Sequence, residues 1–232
     1  NILLAMSDTE GALGAFATAL VHNPDYPAAH YNTGNALARL GRHQSAVAAY
    51  RNALALKPDF ADAEAELGLV HENLGEWDSA VMRYRRAVEI NGNFVEAHCN
   101  LGNALKNLGN LDSAVASYRR ALAIRPDFAG AHYNLGNALK ELGQTDAAVA
   151  SYRRALELKP DLAEAHRNLG RALQDLGQLD NALASYAHAL EIKPDFADAY
   201  NDLGNSQQEL GRLDDALASY RRALDIDPDF AG

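Results

Sequence analysis

The sequence predicts an all-α solenoid of antiparallel helix pairs, and three observations carry the prediction. Gly34, Gly68, Gly102, Gly136, Gly170 and Gly204 recur at an interval of 34 residues. Three more columns keep the same interval: Ala12 to Ala216, Phe16 followed by Tyr50, Tyr84, Tyr118, Tyr152, Tyr186 and Tyr220, and Ala19 to Ala223. Between these columns apolar residues return every three or four positions, the spacing of one face of an α-helix.

The register divides the chain into units 27–60, 61–94, 95–128, 129–162, 163–196 and 197–230, with residues 1–26 as the second helix of an earlier, partial unit. Unit 129–162 illustrates the elements in order. Ala131, Leu135, Ala138 and Leu142 mark the apolar face of a first helix, and Gly143 ends it where a left-handed residue costs little. Asp146 opens the second helix, its charge placed at the positive end of the dipole. Ala148, Val149, Tyr152, Ala155 and Leu156 form that helix's apolar face. Pro160 stops it and Asp161 is expected to help start the next helix. Gly136 lacks a side chain, so a facing helix can approach its backbone, with Ala148 as the expected partner.

One such hairpin cannot bury both faces of its helices, so the core is expected to run between neighbours as a single continuous solenoid. No terminal cap is visible: the chain opens halfway through a unit, and only Ala231 and Gly232 follow Phe230. Self-association by end-to-end stacking is therefore expected.

Composition excludes several function classes. Apolar residues make up 48% and charged residues 22%, which suits a folded chain. A formal charge of −10 opposes general binding to nucleic acid or anionic lipid. The lone Cys99 rules out a disulfide framework and a four-cysteine metal site. No run of about 18 apolar residues is present for membrane insertion, and Asn1-Ile2-Leu3-Leu4 lacks the features of a signal peptide. The chain reads as soluble, with a cytoplasmic location favoured.

No phosphate-binding loop occurs, because the Gly-Asn pairs fall inside helices. Ser117, Ser151, Ser185 and Ser219 recur with the repeat and read as scaffold positions. His30, His98, His132 and His166 share a column with Glu64 and Tyr200. Stacked helices lie about 8–10 Å apart, too far for column neighbours to share an ion through bonds of about 2 Å. These histidines read as half-buried packing residues. No catalytic activity, cofactor or metal is expected.

Leu-Gly early, alanine and an aromatic residue in the middle, alanine later and proline near the end make a pattern that resembles the tetratricopeptide repeat. Asn134-Leu135-Gly136-Asn137-Ala138-Leu139 through Pro160 fits closely, and the resemblance covers essentially the whole chain. It implies a right-handed superhelix whose first helices line a groove for extended peptides. Carried onto this chain, the sixth and ninth unit positions give Asn32 and Asn35, Asn100 and Asn103, Asn134 and Asn137, Asn168 and Arg171, and Asp202 and Asn205. Asparagine inside a helix costs roughly half a kcal/mol relative to alanine, so these pairs need compensation from the scaffold or from a ligand. An amide that both donates and accepts can hold a peptide backbone regardless of its side chains. The asparagine ladder is similar to that of the repeat arrays in O-linked N-acetylglucosamine transferases.

Lys106, Lys140, Arg167 and Arg171 are expected on the same face, either as an ordinary solvated surface or, near Arg167 and Arg171, as a dock for a ligand carboxylate. Tyr31, Tyr133 and Cys99 border the groove or pack beneath it. The lysine, asparagine and arginine set with which chaperone-binding relatives hold a terminal carboxylate is not in register. Arg pairs at 85–86, 119–120, 153–154 and 221–222 read as a solvated outer face that can pair with Glu89 or Glu157. Unit 61–94 departs from the pattern, with Glu66 and Leu69 in place of asparagines, Trp77, and Asn91-Gly92 where other units have a proline. The joint that follows it is expected to be the softest. The function implied is a protein- or peptide-binding scaffold. The alternatives are the substrate-recruiting part of a larger glycosyltransferase and an assembly element that stacks end to end.

Overall fold

The computed structural model describes residues 2–229, and thirteen helices and no strand occur among them. Asn1 of the leader reading, and the chain end at Phe230, Ala231 and Gly232, lie outside the described residues. The chain divides into two compact units, Asn1–Ile124 and Arg125–Gly232.

The N-terminal unit holds α1 (Ile2–His22), α2 (Pro27–Arg39), α3 (His43–Leu56), α4 (Ala61–Asn73), α5 (Trp77–Ile90), α6 (Val95–Asn107) and α7 (Leu111–Ile124). First helices α2, α4 and α6 pair with second helices α3, α5 and α7, and three second helices also pack on the next first helix: α1 on α2, α3 on α4, α5 on α6. The C-terminal unit repeats the scheme with α8 (Ala129–Glu141), α9 (Thr145–Leu158), α10 (Ala163–Asp175), α11 (Leu179–Ile192), α12 (Ala197–Glu209) and α13 (Leu213–Ile226). Within each unit every helix touches only its near neighbours in sequence. Each unit is thus a stack of hairpins, an all-α solenoid arrangement. No described helix is long and apolar enough to cross a membrane.

Local chemistry sets the helix ends. Gly143 sits at φ +75°, and its N–H bonds to the Lys140 carbonyl at 3.0 Å while that of Gln144 reaches Leu139 at 2.9 Å. These two bonds satisfy carbonyls that would otherwise be orphaned, and they need a left-handed residue. Asp146 lies in the first turn of α9. Asp161, in contrast, does not start α10. The flanking residue is Leu162, and no side chain caps that helix. The same register position carries Phe196 ahead of α12, buried in a cluster with Ala163, Ala189 and Ala199. Apolar burial at the helix start thus takes the place of a polar cap.

The glycine column meets an aromatic ring that its spacing alone does not reveal. A Cβ built on Gly136 would stand 2.6 Å from Cε1 of Tyr152, and at Gly34, Gly102, Gly170 and Gly204 the matching distance to Tyr50, Tyr118, Tyr186 and Tyr220 is 2.5 Å. The nearest facing group is therefore the tyrosine ring of the second helix. Tyr50, Tyr84, Tyr118, Tyr152 and Tyr186 are almost fully buried as a result.

In the N-terminal unit the turn between α5 and α6 lacks proline. The Asn91 side chain replaces part of its function by accepting the Asn93 N–H at 3.1 Å. Asn91 has φ −125° and ψ 91°, close to the −136° and 88° of Lys57 before Pro58, so its backbone already suits a following proline.

Gly136→Ala should destabilise by about 1–3 kcal/mol, the usual cost of overpacking, in urea unfolding. Gly130→Ala, where the new methyl group meets only the Phe128 ring at 3.5 Å, should be neutral or stabilising. Hydrogen exchange should find residues 85–100 less protected than the other joints of the N-terminal unit. Gly92→Pro should slow that exchange and add about 0.4–1 kcal/mol by restricting the unfolded chain.

Candidate functional site

The ninth-position asparagines point back into the scaffold through their carbonyl oxygens. In the N-terminal unit the Tyr50 hydroxyl donates to Asn35 Oδ1 at 2.6 Å and the Tyr118 hydroxyl to Asn103 Oδ1 at 2.8 Å. In the C-terminal unit Tyr152 donates to Asn137 at 2.8 Å, and the Tyr220 hydroxyl is shared between Asn205 Oδ1 and Gln208 Oε1, each at 2.9 Å. Where the ninth residue is not asparagine the hydroxyl turns one helical step further along the first helix. Tyr84, in the hairpin with Leu69 at the ninth position, donates to Glu72 Oε2 at 2.8 Å, and Tyr186, in the hairpin with Arg171 there, donates to Gln174 Oε1 at 3.0 Å. Burial raises the Tyr50, Tyr84, Tyr152 and Tyr186 hydroxyls well above their ordinary range, so each stays protonated as a donor.

The sixth-position residues divide. Asn168 Nδ2 donates to Asn137 Oδ1 at 3.0 Å and to the Tyr133 hydroxyl at 3.2 Å, tying α10 to α8. Asn32 and Asn100 are half-buried and make no hydrogen bond among the described residues, and Asn134 is half-buried on α8. Glu66 takes this position on α4, where burial and then repulsion from Asp62 raise its carboxyl pKa against the pull of Arg39. At the fifth position Cys99 is buried. Tyr31 packs on Tyr50 and Phe60 at centroid distances of 6.0 and 4.8 Å, and Tyr133 packs on Tyr152 at 6.1 Å.

The basic residues differ in availability. Arg167 Nε bonds Asp202 at 2.6 Å, its Nη2 lies 3.2 Å from Asp198, and its guanidinium stands 5.5 Å from the centre of the Phe196 ring. Lys140 is paired with Asp175. Lys106 is half-buried on α6. Arg171 is exposed and forms no ion pair among the described residues, while its charge offsets a small part of the burial that raises the nearby Tyr152 and Tyr186 hydroxyls.

A rule the column reading missed joins these contacts. Tyr133–Asn168, Arg167–Asp202, Lys140–Asp175 and Gln174–Glu209 each link residues 35 apart. Adjacent first helices meet one residue out of register, so charges that complement each other sit in neighbouring columns and not in the same one. Complementary charge at an offset of 35 is the sequence signal that finds them. The same offset rule brings in residues that the column reading left out: Gln174, Gln208 and Glu209 line a polar depression with Asn205 between α10 and α12.

The histidine column is local scaffolding. His30, His132 and His166 bond through Nε2 to the carbonyls of Pro24, Pro126 and Pro160 at 2.9 Å, and His98 to that of Gly92 at 3.2 Å. A carbonyl only accepts, so Nε2 carries the proton in each case. Burial lowers the pKa of His98 and His166. Among the described residues no group of three or more His, Cys, Asp or Glu could hold a metal ion. The Ser117, Ser151 and Ser185 hydroxyls bond to backbone carbonyls four residues earlier. Arg86 pairs with Glu89 and Arg154 with Glu157 on exposed surface.

Asn137→Ala leaves the buried Tyr152 hydroxyl and the Asn168 amide short of an acceptor, which should cost about 1–3 kcal/mol. Asn32→Ala breaks no bond and should change stability by no more than about 0.5 kcal/mol. Urea unfolding of the two variants checks the contrast.

A family model described as TPR repeat matches residues 73–109, 102–143, 136–177 and 170–211, and two tetratricopeptide repeat models match residues 1–59 and 197–230. The chain is similar to MamA, at 27% identity over 70% of this chain and 95% of that one, with a TM-score of 0.67. It is similar to YrrB, whose structure is described as that of a TPR protein with an unusual peptide-binding site, at 26% identity over 79% and 94% of the two chains and a TM-score of 0.68. PilF of Pseudomonas aeruginosa shares the fold at 18% identity, 88% and 93% coverage and a TM-score of 0.75. No curated protein sequence matches the chain. The chain belongs to the tetratricopeptide repeat family.

Proposed function

We propose that this chain is a non-enzymatic scaffold that holds extended peptide segments on the first-helix faces of its units. The observation that carries the reading is polar groups with no scaffold bond on the first helices of each unit: the Asn32 and Asn100 side chains in the N-terminal unit and the exposed guanidinium of Arg171 in the C-terminal unit. Asparagine amides suit a peptide main chain, and an unpaired arginine suits an acidic side chain or a carboxylate. The contact set comprises Asn32, Asn35, Asn100, Asn103, Lys106, Tyr133, Asn134, Asn137, Lys140, Arg167, Asn168, Arg171 and Asn205. Arg171 is the anion contact, because the charges of Arg167 and Lys140 are already met by aspartates. The likeness to YrrB, described as having a peptide-binding site, supports the same reading.

The similarity of the asparagine pairs to those of O-linked N-acetylglucosamine transferases favours a second reading, in which this face recruits protein substrates for a fused glycosyltransferase. A glycosyltransferase domain encoded in the same polypeptide would decide for it.

A peptide array probed with the protein and with an Asn100→Ala/Asn134→Ala/Asn168→Ala variant tests the site. Lost amide bonds of about 0.5–1.5 kcal/mol each should weaken bound peptides at least about tenfold. Unchanged binding would move the site off these asparagines. Arg171→Glu should weaken acidic peptides by about tenfold or more and neutral ones by under about twofold. Equal losses would remove Arg171 as the anion contact.

A further inference from the structure

In the N-terminal unit α4 departs from its neighbours on the first-helix face. Glu66 and Leu69 hold its sixth and ninth positions, where α2 has Asn32 and Asn35 and α6 has Asn100 and Asn103. α4 touches α2 on one side and α6 on the other, so both flanks of this helix are on view.

Neither residue serves the scaffold. Leu69 is 40% exposed, and among the described residues no other large apolar side chain on a first helix is as exposed. It cannot accept the Tyr84 hydroxyl, which turns to Glu72 instead. Glu66 is half-buried and forms no hydrogen bond or ion pair among the described residues. Lateral pairs on first helices join residues 35 apart, as Arg167 joins Asp202. At that offset from Glu66 stand Tyr31 and Leu101, neither of them a cation. Arg39 attracts the carboxylate without pairing with it, while burial and Asp62 oppose its ionisation. Glu66 is thus the acidic half of a lateral pair whose basic half the chain does not supply. A positive charge brought from outside would stabilise its ionised form.

We propose that α4 selects the sequence of a bound peptide: Glu66 takes a lysine or arginine side chain, and Leu69 takes an apolar side chain two residues away. The spacing fits an extended ligand. Helix residues three apart have Cβ atoms about 5–6 Å from each other, and alternate side chains of an extended chain share a face at about 6–7 Å. The inference rests on the peptide-binding reading of this face and adds selectivity to it, because asparagine amides hold a main chain whatever its side chains. The preference is opposite in sign to that of Arg171 in the C-terminal unit.

A random peptide library displayed on phage and selected against the intact protein tests this. Bound peptides should be enriched in lysine or arginine two residues from a large apolar residue. Glu66→Asn/Leu69→Asn, which carries the residues that α2 and α6 have at these positions, should still select peptides but without that pairing. One selected peptide, labelled with fluorescein, gives the charge test by fluorescence anisotropy. Replacing its basic residue by glutamate should weaken binding at least about tenfold, and so should Glu66→Lys with the original peptide. Glu66→Lys should bring the glutamate version back to within about threefold of the original affinity. Selected peptides that lack the pairing, or that keep it against the double-asparagine variant, would overturn the proposal, as would Glu66→Lys with both affinities unchanged. The Asn100→Ala/Asn134→Ala/Asn168→Ala variant separates the two readings. If it loses peptides that lack the pairing, only the α4 preference falls. If no peptide is selected at all, or binding ignores those asparagines, the peptide site itself falls.

Discussion

A tyrosine ring laid against a helix backbone that has no side chain at the point of contact is the constraint on which this fold depends. In six successive hairpins the ring occupies the space of a missing Cβ. The approach is so close that even a methyl group would force one helix away from the other. Everything else in the hairpin follows from this separation: alanine suffices at the remaining contact positions, and the first helix can be held on both sides by second helices. The contact also fixes the depth of the tyrosine hydroxyl. It emerges on the far side of the first helix, where it must find an acceptor.

That hydroxyl connects packing to recognition. It takes an asparagine carbonyl at the ninth position when one is present, shared in the case of Tyr220 with Gln208, and otherwise a glutamate carboxylate or a glutamine carbonyl three residues later. The choice decides which side chains on the first-helix face serve the scaffold. In the repeat that contains α10, Gln174 accepts the bond from Tyr186, so the ninth position is open to an arginine. The neighbouring Arg167 has no such freedom, because Asp198 and Asp202 fix it. Two arginines four residues apart on one helix therefore have different uses, and only the bonds around them reveal it.

Much of this was legible in the sequence. The 34-residue interval gave the hairpins, and Gly143 and its equivalents gave the ends of the first helices, because a left-handed residue leaves little choice. The apolar periodicity gave the buried faces. The nearest neighbour of Gly136 was not legible: spacing suggests that small residues face small ones, and does not show that the Tyr152 ring comes closest. Nor did Asp161 act as a cap, since an apolar residue at the helix start gains more by packing under the preceding helix. For the candidate site, the asparagine columns were visible but their division of labour was not. It depends on hydrogen bonds to tyrosines fifteen residues away, and on lateral contacts that a column alignment separates by one place.

The contacts between residues 35 apart give the repeats a fixed order. Hairpins that share one backbone shape could in principle be shuffled like identical tiles, but the side chains of the C-terminal unit distinguish them. Arg167 requires a carboxylate at the sixth position of the following hairpin, and Asp202 supplies it. Tyr133 requires an amide there, and Asn168 supplies it. Exchanging the last two hairpins would set Tyr133 against Asp202 and Arg167 against whatever came next, although every glycine, alanine and tyrosine would still fit. Shape makes the modules interchangeable, and this lateral lettering makes them an ordered series.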